Sequence, residues 1–74
     1  MEFVRVTYPT TRPVKIDGEM GGSTNDVLLV EAGTHIFDLG TPVDYIPPFR
    51  RILVTGTTVL TPLSIAFASI ANQR

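Results

Sequence analysis

The chain is a series of short runs in which apolar and polar residues alternate with a period of two, punctuated by glycine and proline. In residues 3–8, Val4, Val6 and Tyr8 share one face while Phe3, Arg5 and Thr7 share the other. The β-branched and aromatic content of that run predicts a strand, which Pro9 stops. Residues 10–13 form a loop, and Pro13 suits the first position of a following strand. Val14, Lys15 and Ile16 predict a second strand with Lys15 outward. Asp17-Gly18 then predicts a tight turn, because glycine takes positive φ without steric cost. Residues 19–26 are polar and glycine-rich, so a turn or irregular connection is expected. Residues 27–30 are continuously apolar, which predicts a strand buried on both faces or covered by a partner.

Ala32-Gly33 marks the next turn. Residues 34–39 form the clearest alternating run, with His35, Phe37 and Leu39 on one face and Thr34, Ile36 and Asp38 on the other. Residues 41–48 contain three prolines and predict a loop that carries apolar side chains, part of which packs back on the core. Residues 50–55 predict a strand with Ile52 and Val54 inward and Leu53 outward. Residues 56–58 are a turn. Residues 62–71 are open to two readings. A strand would place Leu63, Ile65 and Phe67 inward. A helix would use Thr61 as N-cap and Pro62 as first residue, with Leu63, Phe67 and Ile70 on one face. The period favours the strand. Residues 68–74 are expected to be a short tail, loose at its end.

Five to seven short strands with turns between them predict an all-β fold, a small antiparallel β-sandwich. The chain has 74 residues, so residues 1–74 form a single domain. It contains no cysteine, which excludes disulfide and thiolate reinforcement of a small core. Oligomerisation or docking on a larger partner therefore becomes more favourable. The net charge is −1 and the charges are scattered, so no nucleic-acid footprint is present. No apolar run reaches the roughly 20 residues that a membrane helix needs. No signal peptide is seen, so a complete chain is expected to be cytoplasmic. An excised module would leave the cell envelope or surface open.

The order Asp17-Gly18, Gly22-Ser23-Thr24, Ala32-Gly33-Thr34-His35, Phe37 and Leu39, Asp44-Tyr45-Ile46-Pro47, then Ile52 and Val54 resembles the PEGA domain family. The resemblance covers about residues 13–67. It departs from the family pattern at Asn25, where proline is usual, and at Asp44, where glycine is usual. The resemblance implies a β-sandwich of the transthyretin-like or carboxypeptidase-regulatory type. It also implies an accessory module, often found on envelope proteins or beside kinase domains, without catalytic residues.

The residues themselves offer little chemistry. His35 is the only histidine and lies between core positions of a strand, so a structural role is expected. Asp17, Glu19 and Asp26 lack the spacing of a calcium loop. Gly18, Gly21 and Gly22 open no helix and so form no phosphate cradle. Ser23, Thr24, Ser64 and Ser69 have no neighbouring base to activate them. No catalytic residue, cofactor or metal site is assigned, and an enzyme is not expected.

The expected function is a non-catalytic structural or protein-interaction module, acting as a small subunit of a larger assembly. Its partner would be another protein or a second copy of the chain. The candidate interface is Leu29, Ile36, Tyr45, Phe49, Arg50, Arg51 and Leu53, which are outward apolar positions joined to an Arg-aromatic segment. The alternative is a carbohydrate- or cell-envelope-binding module that uses Tyr8, Tyr45 and Phe49 as exposed aromatics.

Overall fold

A computed structural model describes residues 1–70. They form β1 (Glu2–Thr7), β2 (Pro13–Ile16), β3 (Glu19–Ser23), β4 (Val27–Val30) and β5 (Gly33–Asp38). After a loop come β6 (Tyr45–Ile46), β7 (Arg50–Val54), β8 (Leu63–Ala66) and β9 (Ala68–Ser69). No helix forms among the described residues, so the ambiguity at Leu63 resolves to a strand.

Two sheets face each other as a small β-sandwich. One is three-stranded in the order β4-β1-β8, and the other four-stranded in the order β3-β2-β5-β7. A two-stranded ribbon of β6 and β9 closes one end. The pairs are antiparallel except β1 with β8, which run parallel, with Val4 beside Leu63 and Val6 beside Ile65.

The core follows from the period-two patterning. Val4, Val6, Leu28, Val30 and Ile65 point inward from the three-stranded sheet, and Val14, Phe37 and Val54 answer from the other. Tyr8, Leu39, Tyr45 and Phe67 fill the end beneath the ribbon. Alternation makes each of these strands apolar toward the other sheet, and burial of that face is the main stabilising contribution.

Tyr45–Ile46 form β6 inside the expected loop, and three further segments differ from expectation. Residues 19–23 form β3, which pairs with β2 across the Asp17-Gly18 turn. Both turn residues have positive φ, 54° and 84°, the conformation of a two-residue hairpin turn matched to strand twist. The register steps between Val14 and Lys15, leaving Gly21 as the extra residue of a bulge. Gly22 has φ +146°, and a Cβ there would run into the Leu28 side chain. Glycine thus lets β3 and β4 approach.

The second difference is β4, which is not buried on both faces within this chain, because Leu29 lies open on the outer side where a covering partner would sit. The third is the start of the expected C-terminal tail, whose first two residues form a strand. Ala68 and Ser69 pair with Ile46 and Tyr45. Residues 71–74 of that tail lie outside the described residues.

Candidate functional site

The strand register divides the expected interface into separate places. Leu53 lies across from Thr34, and Ile36 across from Arg51, all on the outer face of the four-stranded sheet. Leu53 is 63% exposed and Ile36 41%. Lys15 and Asp38 pair on the same face at its β2 end. The 41–49 loop folds beside this face and adds Val43 and Phe49, the latter 54% exposed. Lys15, Ile36, Asp38, Val43 and Phe49 line an open groove of about 430 Å³ between sheet and loop.

Leu29 is elsewhere. It sits opposite Phe3 on the outer face of the three-stranded sheet and belongs to no patch with Ile36 and Leu53. The adjacent arginines also part, since alternation sends them to opposite faces. Arg51 points outward, while Arg50 reaches the rim of the sandwich and donates from Nη1 to the Ala66 carbonyl at 3.1 Å.

Tyr45 corrects the expected interface, because it is only 2% exposed. Its hydroxyl donates to the Gly40 carbonyl at 2.8 Å and accepts from the Leu39 amide at 3.2 Å. Its ring meets Phe67 and Tyr8 edge-on, with centroids 5.6 and 6.4 Å apart. Tyr8 is buried too. Of the three aromatics expected to offer a stacking surface, Phe49 alone is open to a ligand.

Arg12, in the loop before β2, organises this end of the molecule. Its guanidinium pairs with Asp44 and donates from Nη2 to the carbonyls of Pro42 at 2.8 Å and Leu39 at 3.3 Å. It also lies over the rings of Tyr45 and Tyr8. Burial opposes its charge, but hydrogen bonds with Tyr8 and Asp44 outweigh that and raise its pKa above the ordinary value. The buried Thr24 hydroxyl accepts from the Arg12 amide at 2.9 Å and donates to the Thr10 carbonyl at 2.8 Å. Asn25, at φ 66°, uses both ends of its amide on the backbone of Tyr8. These contacts give Asp44, Thr24 and Asn25 structural work. No local motif marks it, because each partner lies more than ten residues away.

His35 and Asp17 form the other polar cluster. His35 Nδ1 lies 2.6 Å from Asp17 Oδ2, and Nε2 lies 2.6 Å from the Glu31 carbonyl. The Asp17 bond and then the Glu31 carbonyl raise the His35 pKa. The His35 hydrogen bond and then the Ile36 amide lower that of Asp17. A free general base needs an open lone pair, and both ring nitrogens are engaged here.

Among the described residues, no group of three or more histidine, aspartate and glutamate side chains converges as a metal-binding set. No helix among them is long and apolar enough to cross a membrane. No protein-family model, no curated protein and no solved structure matches this chain.

Proposed function

We propose that the chain is a non-catalytic, PEGA-like protein-interaction module that docks through the outer face of its four-stranded sheet. The observation that carries this reading is the continuity of exposed Leu53, Ile36 and Phe49 along that face and its groove. Exposed apolar residues gathered in one place are a feature of docking surfaces. Arg51 stands among them without a carboxylate partner among the described residues. Lys15 stands on the same face, beside Asp38 in the strand register. The partner that fits is a protein surface presenting apolar side chains around an acidic residue placed to meet Arg51.

The test compares the native chain with Ile36→Asp/Leu53→Asp in capture from its native source, followed by reconstitution with the purified partner. Leu29→Asp, on the opposite face, is the control. Binding that survives in Leu29→Asp and is lost in the double variant supports the assignment. Equal binding by all three, with circular dichroism showing each folded, overturns it.

A further inference from the structure

The contacts of His35 require more protons than a neutral imidazole carries. Both ring nitrogens face oxygen acceptors at 2.6 Å, a carboxylate at Nδ1 and a main-chain carbonyl at Nε2. Neither acceptor has a hydrogen to give. Only the doubly protonated ring donates in both directions. We propose that His35 is a proton-operated latch that ties the β2–β3 turn to the corner between β4 and β5, and that deprotonation releases the corner.

The contacts on the two sides decide which one yields. Asp17 is fixed independently of the ring. Its Oδ1 accepts from the Ile36 amide at 2.9 Å, and its own amide donates to the Ile36 carbonyl at 2.8 Å. A carboxylate is also a stronger acceptor than a carbonyl, so the remaining N–H stays on Nδ1. Nε2 then presents a lone pair to the Glu31 oxygen, and the two repel. Glu31 lies in the short exposed link between β4 and β5 and leads into Gly33 at φ 134°.

The surroundings favour the charged ring. Asp17 supplies a negative charge from the turn, and the Glu31 carboxylate adds a weaker one from the corner. β7 places the uncharged Ile52 across from His35, and β5 places the edge-on Phe37 ring 6.2 Å away. The corner links an edge strand of one sheet to an inner strand of the other. Its release would loosen the crossover without breaking either sheet.

Because His35 is the only histidine, its titration by NMR is unambiguous. The ring is expected to titrate above the ordinary 6.5, with the amide resonances of residues 31–33 moving at the same midpoint. For each pH unit by which the midpoint exceeds that value, up to about tenfold of the corner's exchange protection should disappear on deprotonation. Asp17→Asn keeps the shape of the acceptor and removes its charge, so the shared midpoint should fall. A native ring titrating at or below 6.5, or a corner insensitive to its titration, would overturn the latch whether or not the variant folds.

Discussion

The Arg12 guanidinium lies 5.0 Å from the centre of the Tyr45 ring, and the same cation is paired with Asp44 beside that ring. A loop residue from before β2 thereby holds the proline-containing segment that leads into β6. Removing the side chain strands the Asp44 carboxylate and two carbonyls together. Hydrogen bonds to charged groups and a partly desolvated cation–π contact place the loss for Arg12→Ala at about 2–4 kcal/mol. Arg12→Lys should recover only part of it, because an ammonium cannot spread over three acceptors in one plane. Urea denaturation of both variants checks the ranking.

Tyr45→Phe keeps the ring contacts and deletes the hydroxyl alone. The Leu39 amide and the Gly40 carbonyl would each lose a partner. The expected loss is about 1–2 kcal/mol, read as a lower urea midpoint.

Gly22→Ala adds one methyl where neither the backbone nor Leu28 has room for it. Overpacking combined with an unfavourable φ predicts a loss of about 1–3 kcal/mol, read as a lower urea midpoint. Gly22→Ala/Leu28→Ala should not restore the native value, since φ +146° remains unfavourable and loss of the buried Leu28 side chain leaves a cavity in the core.

The His35–Asp17 pair gives stability a dependence on pH with two limbs. The histidine pKa is raised above 6.5 in the fold, so its contribution is complete below 6.5 and is lost as pH rises through the raised value. The aspartate pKa is lowered below 3.8, so its contribution is complete above 3.8 and is lost as pH falls through the depressed value. Glu2 adds to the acid limb, because the Thr57 hydroxyl, followed by the Thr57 amide, lowers its pKa. His35→Gln should abolish the alkaline limb and leave the parts of the acid limb that come from Glu2 and from the Ile36 amide bond to Asp17. Urea midpoints of both proteins across about pH 3 to 9 test this.

The strands that alternate were legible from the residues alone. Val4 and Val6, Phe37, and Ile52 with Val54 face inward as period two requires, and Asp17-Gly18 makes the turn that its residue types demand. β3 was not legible. Its glycines read as turn residues, whereas they serve a bulge and the approach of Leu28. Tyr45 was misplaced for a related reason. The 41–48 loop is expected to turn part of its apolar side chains inward, but the sequence does not single out Tyr45 among them, because Leu39, Gly40 and Arg12 close around it only in the fold. Ile36 and Leu53 were correctly read as outward. Their separation from Leu29 was not legible, because it depends on which sheet each strand joins.

β1 lies between β4 and β8, so a strand early in this sequence has as its neighbour one that is synthesised well after it. A chain leaving the ribosome can form the β2–β3 hairpin and pair β1 with β4 early. It cannot complete the three-stranded sheet until residue 66 has emerged. Throughout that interval one edge of β1 is open, and its amides and carbonyls can pair with another nascent chain. Arg5, exposed on the outer face of β1, places a charge on the strand that waits longest for its second neighbour.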